Sequence, residues 1–203
     1  MLLKIHPDNP NPHEINIAID HLKAGQVIIY PTDTVYALAC DMLNRKAVER
    51  LCQIKGVKLA QANFSLICNS LSHLSDYTKN VNTSTYKLMK KYLPGPFTFI
   101  LNANNKVPKI FKSNKKTIGI RIPKNNIAFK LVEQLGNPLV STSIHDRDEI
   151  LEYTTDPELI YDRFKDLVEV TIDGGYGSNI ASTIIDCTSD EPMIIREGKG
   201  VLT

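Results

Sequence analysis

Apolar residues in this chain fall into short runs, many of them β-branched, that alternate with segments of helical spacing. Residues 2–5, 27–30, 64–68 and 97–101 are such runs and read as strands. Residues 117–122 place Ile118, Ile120 and Ile122 at every second position, the period of a strand. Residues 138–140 lead as a strand into Ser141, and 167–172, 182–186 and 193–195 predict three more. Ile15, Ala18, Ile19 and Leu22 recur at helical spacing and predict a helix over 14–24 with Gly25 as its stop. Asn44 can cap a second helix carrying Val48, Leu51, Cys52 and Ile54, which Gly56 ends. A basic helix over 84–92 runs into Pro94, Gly95 and Pro96. Residues 127–135 predict a helix stopped by Gly136, and Pro157–Phe164 opens with proline in its first turn. This alternation predicts one α/β domain over residues 1–203 with a mixed sheet.

Composition narrows the class. At 42% hydrophobic and 23% charged, the 203 residues carry enough apolar surface for a core and too little net charge for disorder. No stretch approaches the ~20 apolar residues that cross a bilayer. Residues 1–12 turn polar after three positions, so no secretory core is expected and the cytoplasm is the predicted compartment. Cys40, Cys52, Cys68 and Cys187 are far apart and form no closely spaced pair. They predict buried, reduced thiols rather than a zinc site or a disulfide framework.

Charge changes the picture further. Net charge is +2, yet residues 77–132 hold twelve Lys or Arg and no acidic residue. The rest of the chain has twelve basic and 22 acidic residues, a balance of −10. If those side chains converge, they create a field that draws polyanions; if they scatter, they only solvate several faces.

Several segments carry candidate chemistry. Thr32, Asp33, Thr34 and Tyr36 directly follow a strand, where α/β proteins bind ligands. On spacing alone, Asp33 or Thr34 reads as a helix cap. Ser141, Thr142 and Ser143 follow another strand and fit either an anion site or a simple turn. Arg121 stands in an apolar strand and needs an anion, from the protein or from a ligand. His145, with Asp146, Asp148 and Glu149, forms an oxygen-rich loop that reads as solvated rather than as a metal site. No phosphate-loop, dinucleotide-binding or hydrolase-elbow motif occurs.

Six segments then recur together: 31–41 (PTDTVYALACD), 94–101 (PGPFTFIL), 117–123 (TIGIRIP), 141–143 (STS), 182–186 (STIID) and 196–198 (REG). In this order they resemble the YrdC-like family over nearly the whole chain, and within it the YciO branch most. The resemblance implies a twisted mixed sheet with helices around a basic concave cavity. Members of that family make threonylcarbamoyl-AMP from threonine, bicarbonate and ATP, towards N6-threonylcarbamoyladenosine in tRNA. Carried over by position, Thr32, Thr34, Arg121, Ser141 and Ser182 match the threonine side. Lys55, Thr117, Ser143 and Arg196 match the nucleotide side. Mg²⁺ is expected only as a companion of ATP, with no dedicated cofactor or metal.

Two family pairs are changed. The synthases' Lys-x-Arg reads Lys55-Gly56-Val57 here, which removes a phosphate-binding guanidinium. Their Ser-x-Asn reads Ser143-Ile144-His145. Lys55 and His145 are the candidate catalytic groups; as a neutral imidazole His145 can replace one amide hydrogen bond, and as a general base near neutral pH it suits hydrolysis better than adenylation. Three functions follow. The first is a YciO-like protein that binds a nucleotide or threonylcarbamoyl-adenosine and double-stranded RNA or tRNA, with weak synthase action or a hydrolytic one on the threonylcarbamoyl group. The second is a full synthase in which a residue such as Lys58 replaces the missing Arg. The third is a non-catalytic RNA-binding module. Lys112, Lys115 and Lys116 are the expected RNA contacts.

Overall fold

The computed structural model describes residues 1–108, 116–144 and 155–203. The elements in chain order are β1 (Leu2–Lys4), α1 (Pro12–Lys23), β2 (Ile28–Tyr30), β3 (Ala37–Asp41), α2 (Arg45–Lys55), a 3-10 turn (Leu59–Gln61) and β4 (Ser65–Ile67). There follow α3 (Leu71–Ser75), α4 (Thr83–Tyr92), β5 (Phe97–Asn102), β6 (Thr117–Arg121), α5 (Asn126–Leu135) and β7 (Leu139–Ser143). The chain then forms α6 (Pro157–Phe164), β8 (Val170–Asp173), β9 (Thr183–Asp186) and β10 (Met193–Arg196).

The strands make one mixed sheet in the order β1-β8-β2-β3-β7-β4-β6-β5-β9-β10. Pairs β1–β8, β2–β8, β4–β6 and β5–β9 are parallel; the others are antiparallel. The expected caps are present. Asn44 Oδ1 accepts from Ala47 N–H, and Gly56 and Gly136 take the left-handed conformation that ends α2 and α5.

One element differs from expectation in a way that matters for the site. Residues 37–41, expected only as part of a ligand loop, form β3. No helix follows Asp33 and Thr34, so neither caps one. β3 turns back antiparallel on β2, which pulls the loop between them tight.

Side-chain alternation sorts the sheet into two faces. Val27, Ile29, Leu38, Cys40, Leu66, Phe97, Phe99, Ile118, Ile120 and Val140 face a core closed by α2, α3, α4 and α6. Ile28, Tyr30, Ala37, Ala39, Ile67, Leu139, Val170 and Ile172 face a second core closed by α1 and α5. That second cluster includes no residue of β5, β6, β9 or β10. There the sheet face carries Thr98, Thr117, Gly119, Arg121 and Ile184, and it stays open.

All four cysteines are buried and free, as expected. Burial pushes the Cys68 thiol up to about 12 and the Cys187 thiol up to about 11. Among the described residues no helix is long and apolar enough to cross a membrane.

Candidate functional site

The open face is a cleft. Its deeper part is a cavity of about 120 Å³ lined by Ala37, Ser65, Thr98, Arg121, Ser141, Ser143, Ser182 and Arg196, among others. That volume is well below the ~300 Å³ where drug-sized pockets begin and suits a small polar molecule. A second cavity of about 310 Å³, lined by Asn63, Phe64, Thr117, Gly119, Ile184 and Ile195, adjoins it. Thr117, Gly119 and Arg121 alternate along β6, so one strand face runs from the second cavity to the first. Gly119 leaves the passage open. A Cβ there would lie 2.9 Å from Ser65 Oγ and 3.3 Å from Thr98 Cγ2.

Arg121 organises the deep cavity. It is only 8% exposed, and its Nη2 donates to Asp33 Oδ1 at 2.8 Å and to Thr34 Oγ1 at 3.0 Å. A protein carboxylate therefore does hold the guanidinium, but only at one edge. Its Nε is buried and has no acceptor. An unmet buried donor is costly, by ~1–3 kcal/mol, and an acceptor delivered by a ligand removes that cost. Asp33 Oδ2 also accepts from Lys124 N–H at 3.0 Å, which fixes the carboxylate.

The hydroxyls are held in pairs. Ser141 Oγ is 3.0 Å from Tyr30 OH, and Ser182 Oγ is 2.7 Å from Thr98 Oγ1. Burial pushes the Tyr30 phenol up to about 12, so it is a neutral partner for Ser141. Arg196 Nη2 donates to the Ser182 carbonyl at 2.8 Å. Burial lowers the Arg196 pKa, and the nearby Arg121 charge lowers it further. Two guanidinium groups thus share the cavity, and no carboxylate lines it among the described residues. Arg121 is balanced by Asp33, so among the described residues Arg196 supplies the cavity's remaining positive charge, which favours an anion.

The other expected residues sit as follows. Thr32 and Thr34 do not line the cavity. Thr32 Oγ1 donates to Val35 O at 2.7 Å and accepts from Thr34 N–H at 3.0 Å, so these hydroxyls hold the loop that places Asp33. Lys55 is not among the described lining of either cavity; its Nζ donates to the Ser143 carbonyl at 3.0 Å and so ties the end of α2 to β7. Val57 follows the α2 cap and is 37% exposed. His145, Asp146, Asp148, Glu149, Lys112 and Lys115 lie outside the described residues. Lys116 is exposed with φ 56°.

Asn63, Ser65 and Thr98 also line the cleft and were not singled out from sequence. Alternation against the apolar face of β5 was the signal for Thr98. Among the described residues, the helices of the basic stretch do not share one face. α4, with Lys87, Lys90 and Lys91, packs through Met89 on one side of the sheet, and α5, with Lys130, packs on the other. Lys106 and Lys130 are further tied to Asp76 and Glu133.

The chain can now be set beside known proteins. A family model named Sua5/YciO/YrdC and described as "Telomere recombination" matches residues 20–198. The YciO protein of Escherichia coli K12 is 43% identical over 97% of this chain and 94% of its own. A threonylcarbamoyl-AMP synthase of Pyrococcus abyssi is 29% identical over 91% of this chain and 54% of its own length. The crystal structure of E. coli YciO superposes with a TM-score of 0.91 at 42% identity, covering 99% of this chain and 97% of that one. The P. abyssi Sua5 structure in complex with L-threonine gives 0.87 at 27% identity, covering 98% of this chain and 57% of that one.

Proposed function

The chain belongs to the Sua5/YciO/YrdC family, and from that membership we propose that its cleft binds a threonylcarbamoyl-adenosine ligand, amino acid in the deep cavity and nucleoside in the adjoining one. The observation that carries this reading is the buried Nε of Arg121 without a hydrogen-bond partner, on a residue that lines a small hydroxyl-rich hole. A carboxylate is the natural acceptor for a guanidinium edge. Ser141 and Ser182 flank it and can meet a hydroxyl and the threonine nitrogen, an ammonium in free threonine and a ureido N–H in the threonylcarbamoyl group. Threonine carries these three groups, and a relative of known structure is complexed with it. Thr117 lies in the second cavity and serves the nucleotide end; Ser143 and Arg196, expected there too, line the first cavity with Ser141 and Ser182 and so stand beside the amino-acid end.

Val57 stands where the synthases keep an Arg, and its partial exposure offers no replacement for that charge. ATP activation is therefore weak in this reading, and Mg²⁺ enters only with ATP. His145 then favours water attack on the threonylcarbamoyl group. The protein acts in the cytoplasm on tRNA or another double-stranded RNA, which it holds through exposed lysines such as Lys116.

Mass spectrometry of N6-threonylcarbamoyladenosine in tRNA, after incubation with the protein with and without ATP, tests the reading. Loss of the modification without ATP supports it. Rapid pyrophosphate release from ATP, threonine and bicarbonate would instead make the chain a full synthase. No change in either assay, with no threonine binding, overturns the assignment of the cleft.

A further inference from the structure

The two cavities meet at Asn63, Ser65, Thr98 and Ile184, which line both. Ser65, Thr98 and Ile184 come from β4, β5 and β9 and form the floor. Asn63 comes from the coil between the 3-10 turn and β4, so it stands at the rim of the junction. The Thr98 hydroxyl is engaged by Ser182. Asn63 is exposed, and its amide has no hydrogen-bond partner among the described residues. It caps no helix and holds no loop.

We propose that Asn63 is a specificity-determining residue that reads the linkage between the two ends of the ligand, selecting a neutral ureido group over an anion. This rests on the reading of the cleft given above. A carboxamide presents N–H donors and a carbonyl acceptor in one plane. A ureide presents the complement, an N–H and a C=O. A carbonate or phosphate presents acceptors only, so it meets the Asn63 N–H groups and leaves the carbonyl unmet. A guanidinium at the same place would select the anion instead. A ligand that spans both cavities crosses the junction that Asn63 lines with Ser65, Thr98 and Ile184, so its linkage lies beside the amide.

Calorimetry with N6-threonylcarbamoyladenosine, threonine and AMP on the native protein, Asn63→Ala and Asn63→Asp is the test. Asn63→Ala should raise the Kd of the ureido nucleoside about tenfold, equal to ~1.4 kcal/mol, and leave threonine within about twofold. Asn63→Asp should weaken the ureido nucleoside further, because acceptors and a charge then face its carbonyl. Thermal melts of both variants should match the native protein, since Asn63 holds nothing in the fold. Unchanged affinity of Asn63→Ala for the ureido nucleoside, with the native protein binding it, overturns the role of Asn63 alone. An equal loss for threonine does so too, by moving Asn63 to the amino-acid end. If the native protein binds neither compound, the cleft assignment falls, and this inference with it.

Discussion

Replacing Arg121 by Met removes a binding group and breaks a buried ion pair, and the two effects can be separated. The Arg121 and Asp33 side chains are 10% and 9% exposed, so water screens their contact little. Without Arg121, Asp33 keeps the Lys124 N–H but loses its counter-charge. Leaving one partner of a buried pair alone costs ~3–5 kcal/mol, against the ~5–15 kcal/mol that holds a domain folded. At a urea slope of ~2 kcal/mol per M, the midpoint should fall by about 1.5–2.5 M. Asp33→Asn alone is also destabilising. Its carboxamide can accept from Arg121 or face the Lys124 N–H with its oxygen, but not both. The double variant Arg121→Met with Asp33→Asn buries no charge. It should recover about 1–3 kcal/mol relative to the sum of the singles. Urea unfolding followed by circular dichroism gives the three midpoints. Calorimetry with threonine should show binding lost in both Met variants and retained, though weakened, in Asp33→Asn. Additive singles would refute the ion pair as the support of the loop. Threonine binding that survives in a folded double variant would refute Arg121 as the carboxylate site.

Other outcomes follow from the same geometry. Val57→Arg with His145→Asn should raise ATP affinity and pyrophosphate release more than either change alone; Val57 is 37% exposed, so the new guanidinium stays hydrated and the melting temperature should hold. A stable double variant with no gain would mean the cleft is built for another ligand. RNA binding should weaken with salt, and neutralising Lys112, Lys115 and Lys116 together should reduce the salt slope by about 2–3, read by fluorescence anisotropy. An unchanged slope would remove this stretch from the RNA contact. Burial raises all four thiols, so at pH 8 they stay protonated and iodoacetamide should label the protein only after unfolding. Labelling of the native chain at the rate of a free thiol would contradict the buried placement. Gly119→Val should cut nucleoside binding while sparing threonine, since the side chain enters the passage beside Ser65; loss of both ligands would show a collapsed cleft, not a blocked one.

Most of the sheet was legible because its strands alternate or run apolar, and most of the helices because Asn44, Gly56 and Gly136 mark their ends. β3 was hidden. Residues 37–41 have no alternation, because Ala37 and Ala39 on one side and Leu38 and Cys40 on the other all go into cores. α3 is too short, at five residues, to show a period. In the site, Arg121 stood out as a charge in an apolar strand, yet its partner could not be chosen from sequence. Asp33 is 88 residues away, and only the β2–β3 turn brings it there. Whether the basic stretch converges stayed open for a related reason. Its helices α4 and α5 are sent to opposite sides of the sheet by the strands between them.

The strand order also governs when the cleft comes into being. Its lining runs from Val35 to Arg196, and the floor is complete only when β9 pairs in parallel with β5. Parallel pairing across so many residues carries a large loop-closure cost before any contact rewards it, and such topologies fold slowly. At ~5–20 residues per second, a ribosome needs roughly 8–30 s to carry synthesis from the first lining residue to the last. During that time α1, β2 and β3 can pack, but the cleft lacks Ser182 and Arg196. Arg121, Ser141 and Ser143 are made before them, so the growing chain offers only part of the site. The full stabilising effect of a ligand starts after the C-terminal strands have docked.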